Sequence, residues 1–164
     1  MPPRRRTGGT SLWTILCGFG LGKADTRSLI IPWCTFTEPE VAHVGMYETD
    51  ATAKGVKVET FTLPLGEVDR AILDGESEGF VRVHVREGTD TIVGATIVAG
   101  HAGSLISEIT VAMQAGKGLS LIGRTIHPYP TQSEAIRKVA NLLRKTRFSS
   151  RQKSLLAHWF QWTR

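Results

Sequence analysis

Residues 80–98 constrain the fold more than any other stretch of this chain. Phe80-Val-Arg-Val-His-Val-Arg86 alternates apolar and polar residues strictly, and Thr91-Ile-Val-Gly-Ala-Thr-Ile-Val98 follows after the turn Glu87-Gly-Thr-Asp90. A period of two marks a strand with one buried face, so two such runs across a short glycine-containing loop predict an antiparallel hairpin. The second run is apolar on both faces, which predicts a central strand lying under a helix.

The flanking segments extend this sheet. Ser28–Phe36 is a β-rich run in which Pro32 suggests an edge or a bulge, and Val41–Gly45 returns as a short strand after the turn Thr37-Glu-Pro-Glu40. Tyr47–Lys54 reads as a helix stopped by Gly55, Val56–Leu63 as a further strand, and Glu67–Leu73 as a helical segment before the acidic turn 74–79. Leu105–Ala115 places Leu105, Ile109, Ala112 and Met113 at helical spacing, with Ser104 as the expected N-cap and Gly116 beyond the end. Leu119–Ile126 reads as a connector, His127–Thr131 as an irregular turn and Ser133–Leu143 as a closing helix. The expected fold class is α+β, an antiparallel β-sheet with helices packed on one face.

A chain of 164 residues fits one domain of this kind and needs neither metal nor disulfide to bury a core. Its two cysteines, Cys17 and Cys34, exclude a disulfide framework, and the absence of CxxC or paired Cys/His spacing excludes a zinc ribbon. Cys34 reads as a small strand hydrophobe rather than a nucleophile. The net charge of +5 is unevenly spread: residues 1–6 carry three arginines and no acid, residues 137–164 carry eight basic residues and no acid, and residues 7–136 carry 9 basic against 15 acidic residues. A uniformly basic nucleic-acid-binding domain does not fit that distribution. Arg4–Arg6 followed by Ser11–Gly22 has the outline of an export signal, but the apolar run is short, glycine-broken and without a cleavage site. It is also too short to span a membrane, so the protein is expected to be cytoplasmic. Gly18-Phe-Gly-Leu-Gly22 lacks the context of a phosphate loop. The expected organisation is an irregular segment 1–22, a domain 23–148 and a basic aromatic helix 149–164.

Chemistry concentrates in His127-Pro-Tyr-Pro-Thr-Gln-Ser-Glu134. Two prolines separated by one residue stiffen the backbone, which suits the presentation of a side chain. One reading is purely structural: a proline turn, then a helix capped by Thr131 with Glu134 completing a capping box. The other is a proton-transfer dyad in which Glu134 orients either His127 or Tyr129. Of the remaining histidines, His43 reads as a strand residue facing solvent or an interface, His84 as part of the polar sheet face, and His101 as a residue near glycines that could approach a ligand. None has the spacing of a metal site.

Three segments together resemble one family. Ile30-Pro-Trp-Cys-Thr-Phe-Thr-Glu-Pro-Glu-Val-Ala-His-Val-Gly45, the stretch Gly94–Gly103 with its helix, and Thr125-Ile-His-Pro-Tyr-Pro-Thr-Gln-Ser-Glu134 occur in the order seen in the C-terminal dimerisation domain of the class I pyridine nucleotide-disulfide oxidoreductases. The resemblance covers about residues 23–145 and is nearest to the mercuric-reductase-like branch. It implies a homodimer in which each domain lends acid/base residues to the active site of the other subunit. Matched position by position, Glu134 is the family's glutamate and Thr131 its threonine. Pro130 follows the catalytic histidine, Tyr129 stands where that histidine stands, and His127 is the outer histidine. The implied catalytic residues are therefore Tyr129, Glu134 and His127, with Pro130 and Thr131 beside the cofactor.

A phenol is a weaker base near neutrality than an imidazole, so the departure at Tyr129 disfavours dihydrolipoamide or glutathione chemistry. Mercuric reductases also place tyrosine here, which points to a metal ion or another small acceptor as substrate. They carry a vicinal cysteine pair at the extreme C-terminus, and this chain has no cysteine after Cys34. The resemblance further implies FAD and NAD(P)H as cofactors, bound mainly by domains that precede this one in the family and are absent here. The chain alone is expected to be inactive. A different class of reading is a stand-alone dimerising module whose tail, with Leu155, Leu156, Trp159, Phe160 and Trp162 on one helical face among basic residues, docks on the domain or touches an anionic membrane or another protein.

Overall fold

The structure is a computed structural model that describes residues 29–147, with the compact unit beginning at Ile31. The amino-terminal segment 1–22 and the tail helix expected over 149–164 lie outside the described residues. Five strands form one antiparallel sheet: β1 (Trp33–Thr35), β2 (Glu40–Gly45), β3 (Val58–Pro64), β4 (Phe80–Arg86) and β5 (Ile92–Ala99), in the order β1-β2-β5-β4-β3. The expected hairpin is β4–β5, and the strand that is apolar on both faces is the central one. Its partners are β4, in the register Val81↔Ile97 and Val83↔Ala95, and β2, in the register Ala42↔Ile97 and Val44↔Ala95. The proline-marked β1 is an edge strand, as Pro32 required.

Period two sorts the side chains between the faces. Ala42, Val44, Val81, Val83, Val85, Ala95 and Ile97 are fully buried on one face. Helices α3 (Ala102–Gln114) and α5 (Glu134–Thr146) cover that face, α3 over β2 and β5, and α5 over β3 and β4. They contribute Ile106, Ile109, Ile136, Val139 and Leu143 to the core. Each fully buried aliphatic side chain of this kind stabilises the fold by about 2 kcal/mol. Helix α4 (Leu119–Arg124) packs on α5 where a connector was expected. Its six residues are too few for a periodic signal. The segment is helical because Leu119 and Ile122 bury against α5, while Asp90 accepts from the Leu119 amide with its carbonyl and from the Ser120 amide with its side chain.

Helix α3 also starts earlier than expected. Ser104 lies inside its first turn, and His101 rather than Ser104 is the N-cap residue. The missing local cap is replaced from a distance, since Glu40 Oε2 on β2 accepts the Gly103 N–H at 2.9 Å. A Cβ at Gly103 would sit 3.1 Å from Cys34 Sγ on β1, so a larger residue there fits only if that side chain gives way by a few tenths of an ångström.

The second face carries Arg82, Thr62, Thr96, His43 and His84. It is polar as expected, yet His43 and His84 are only 2% and 3% exposed rather than facing solvent. The short helix α1 (Glu48–Ala53) accounts for this. Tyr47, just before it, stacks on His43 at 3.8 Å between ring centroids, and Glu48 accepts from Thr60 beside His84. Burial pushes both imidazoles below their ordinary value. The third short helix, α2 (Asp69–Asp74), follows a 3-10 turn at Leu65–Glu67. Among the described residues no helix is long and apolar enough to cross a membrane.

Candidate functional site

The proline loop joins the end of α4 to the start of α5. Ile126, Tyr129 and the two prolines face outward, and Ile126 is 95% exposed. Thr131 closes the loop on itself, donating to the Pro128 carbonyl at 2.8 Å with its Oγ1 also 2.9 Å from Ser133 Oγ. It therefore does not cap α5, and Ser133 is the N-cap residue. Glu134 is the first residue of that helix rather than the third, so no capping box forms. A carboxylate at this position still faces the positive end of the helix dipole.

Each of the three expected catalytic side chains has its own partner. Tyr129, 70% exposed, donates its hydroxyl to Asp69 Oδ2 on α2 at 2.9 Å. His127 has its ring buried, with Nε2 2.8 Å from Glu108 Oε1 on α3 and Nδ1 3.0 Å from the Thr125 carbonyl. Glu134 is buried and accepts from Arg137, one turn on in α5, while its Oε2 has no hydrogen-bond partner. Among the described residues Glu134 therefore bonds neither His127 nor Tyr129. The alternatives left open by the sequence, Glu134 orienting one ring or the other, give way to three separate pairs.

The partners Asp69, Glu108 and Arg137 were not singled out from sequence. Arg137 had a local signal, since residues three apart on a helix are neighbours. Asp69 had none, being sixty positions from Tyr129. Glu108 sat on the polar stripe of α3, a pattern shared by any surface helix.

The electrostatics follow from these pairs. Asp69 beside the phenol pushes the Tyr129 hydroxyl above its ordinary value, first through the hydrogen bond and then through its charge, with a further push from Glu134. The phenol is thus a weaker acid than a free tyrosine, with its hydrogen engaged by Asp69. A shallow cavity of about 370 Å³ opens beside the loop, bordered by Arg70, Asp74, His101, Pro130, Thr131 and Gln132. Arg70 hydrogen-bonds Asp74 at 2.8 Å and holds its carboxyl below the usual range. Gln132 donates to Glu76 at 2.7 Å, and its own carbonyl oxygen is buried without a partner. His101, at the start of α3, borders the cavity without bonding to the loop. Cys34 is half-buried and its thiol is pushed up by desolvation and by Glu40, which disfavours the nucleophilic thiolate. Among the described residues no cluster of three or more His, Cys, Asp or Glu could hold a metal ion.

Residues 31–140 match the family described as pyridine nucleotide-disulphide oxidoreductase, dimerisation domain. A dihydrolipoyl dehydrogenase of Bacillus subtilis is 36% identical over 121 residues, which is 74% of this chain and 26% of that protein. A mercuric reductase of Streptomyces lividans is 36% identical over 110 residues, covering 67% of this chain and 23% of that protein. Among solved structures, the HOCl-induced flavoprotein disulfide reductase RclA of Escherichia coli superposes with a TM-score of 0.71 at 26% identity, over 76% of this chain and 29% of that one. The chain thus spans about a quarter of the length of the curated relatives it matches.

Proposed function

Since the chain belongs to the pyridine nucleotide-disulphide oxidoreductase dimerisation-domain family, we propose that it is the dimerisation domain of a mercuric-reductase-like, FAD-dependent disulfide oxidoreductase, working in the cytoplasm as a homodimer. In this reading each domain presents Tyr129 to the active site of the partner subunit. The observation that carries it is the placement of Tyr129, an exposed phenol on a proline-stiffened loop whose hydroxyl is hydrogen-bonded to Asp69 at 2.9 Å. A neutral phenol can donate a hydrogen bond or a proton to a reacting thiolate and recover it afterwards.

A mercuric reductase matches this chain at 36% identity, and dihydrolipoyl dehydrogenases match it at 36–40%, so overall similarity does not favour the mercuric-reductase-like chemistry. Tyr129 supports the mercuric-reductase-like reading: a phenol raised above its ordinary value is poorly suited to the neutral-pH base work of an imidazole, whereas its hydroxyl can still orient a small acceptor or a metal-ion substrate by hydrogen bonding.

FAD and NAD(P)H belong to this reading through the family. The residues present fit one wall of such a site, where Pro130 offers an exposed apolar ring and Thr131 a hydroxyl whose own hydrogen is already committed to Pro128. The shallow groove they border is too small a share of surface to enclose a dinucleotide, so most of the pocket falls to residues outside this chain. When bound, the flavin supplies electron transfer, and the residues of this chain hold or move a proton at Tyr129 Oη.

Sedimentation of the purified chain tests the dimer. The expected result is a dimer at micromolar concentration, and a clean monomer at high micromolar concentration overturns the reading. The chain alone is expected to show no flavin absorbance and no NAD(P)H oxidation. Flavin-dependent turnover by this chain alone would contradict its assignment as a contributing domain.

A further inference from the structure

We propose that Glu108 is a positioning residue for Tyr129 and acts through His127, the pair tying the proline loop to α3 and so setting where the phenol points. The proposal rests on the reading of Tyr129 as the acid/base group.

His127 is the one buried ring in an outward-facing stretch. Its side chain is 6% exposed, between Ile126 at 95% and Tyr129 at 70%. Both ring nitrogens face oxygen atoms, the Thr125 carbonyl at 3.0 Å and Glu108 Oε1 at 2.8 Å. The carbonyl can only accept, so Nδ1 carries hydrogen. A bare Nε2 lone pair against a carboxylate oxygen would be repulsive, so Nε2 also presents hydrogen or shares one with Glu108. Both ring nitrogens are thereby engaged within the chain, and the ring holds the loop to α3.

The hold reaches Tyr129 because little can flex between them. Pro128 and Pro130 each lock their own φ and restrict the residue before them, and Thr131 pins the Pro128 carbonyl. At the other end, Glu108 stands on a helix whose Ile106 and Ile109 are buried in the core, so the anchor point is rigid. Without the pair, Tyr129 keeps only its exposed bond to Asp69.

The chain has two tyrosines, Tyr47 and Tyr129, so carbon NMR of labelled tyrosine rings gives two resonances, which Tyr47→Phe assigns. Asp69→Asn marks the Tyr129 Cζ position when the charged acceptor is gone. At neutral pH, Glu108→Ala and His127→Asn are each expected to move that resonance about half of the way or more toward this mark, and the double variant no further than either single one. Glu108→Gln keeps the volume and an acceptor oxygen and is expected to restore most of the wild-type position. An unmoved Tyr129 resonance in folded Glu108→Ala and His127→Asn overturns the proposal, as do additive displacements. Should Glu108→Ala fail to fold, His127→Asn against Glu108→Gln decides the question by the same criterion. Sedimentation separates this role from the family reading. A monomer whose Tyr129 responds to Glu108 defeats the dimer and leaves the positioning role standing, and a dimer whose Tyr129 ignores Glu108 does the reverse.

Discussion

Tyr129 donates its phenolic hydrogen to Asp69 at 2.9 Å across sixty positions of sequence, and this bond, more than the nearby Glu134, sets the state of the phenol. Asp69 opens α2, a short helix seated by the fully buried Val68 and Ala71. The partner of the Tyr129 hydroxyl therefore depends on how a distant, unremarkable helix packs.

Replacing Asp69 by asparagine removes the charge that opposes the phenolate, so the Tyr129 titration midpoint is expected to fall toward the ordinary phenol value. Any stability linked to the raised value is present below the ordinary midpoint and is lost as pH rises through the folded one. Phenolate absorbance in a Tyr47→Phe background reads the midpoint directly. A midpoint unchanged by Asp69→Asn would show that the bond does not hold the proton.

Glu134→Ala strips the buried carboxylate from Arg137 at the start of α5. The Arg137 side chain is 37% exposed and can turn to water, so the expected cost is about 1–2 kcal/mol rather than the larger figure for a fully buried pair. Glu134→Gln is expected to cost less, and urea unfolding of the three proteins gives the ranking.

Gly94, in the middle of β5, admits no side chain, because a Cβ would lie 2.0 Å from the Met46 carbonyl oxygen. That obstacle is backbone and cannot move aside, so Gly94→Ala is expected to destabilise the fold by about 3 kcal/mol or more. Gly55, with φ +67° and open space around it, provides the contrast, and alanine there is expected to cost about 1 kcal/mol from backbone strain alone. Denaturation midpoints for the two variants should differ accordingly.

His43 and His84 are buried beneath Tyr47 and Glu48 and held below the ordinary histidine value by desolvation. The folded state binds their protons more weakly than the unfolded one, so their contribution is fully present above about pH 6.5 and is lost as pH falls toward the folded values. Thermal midpoints should be flat above neutrality and decline below it. His84→Asn should shallow that decline, and an identical slope in the variant would place its origin elsewhere.

The hairpin, the central position of β5 and the helix over it were legible because alternation at Phe80–Arg86 and helical spacing at Leu105–Met113 are local patterns that state which face is buried. Glycine 116 marked the end of α3 for the same reason, its φ of +62° suiting a residue without a Cβ. Helix α4 was missed because six residues give no period, and Leu119 and Ile122 become a helix face only against α5. The start of α3 was misplaced because its cap, Glu40, comes from another strand. At the site, the composition of the proline loop marked it as special, and its match to the family motif named Tyr129, His127 and Glu134. The pairing of those side chains was beyond reach, since Asp69 and Glu108 are brought to the loop by α2 and α3.

By itself, the sequence determined the α+β class, written in the periods of neighbouring residues, and the family, carried by the resemblance of three motif segments. The tertiary structure alone decided which carboxylate holds which ring. Tyr129 went to Asp69, His127 to Glu108, and Glu134 was left to Arg137 with one oxygen free. A hydrogen bond depends on atoms meeting within about 3 Å, and only the packed sheet and helices bring residues nineteen and sixty positions apart to that distance.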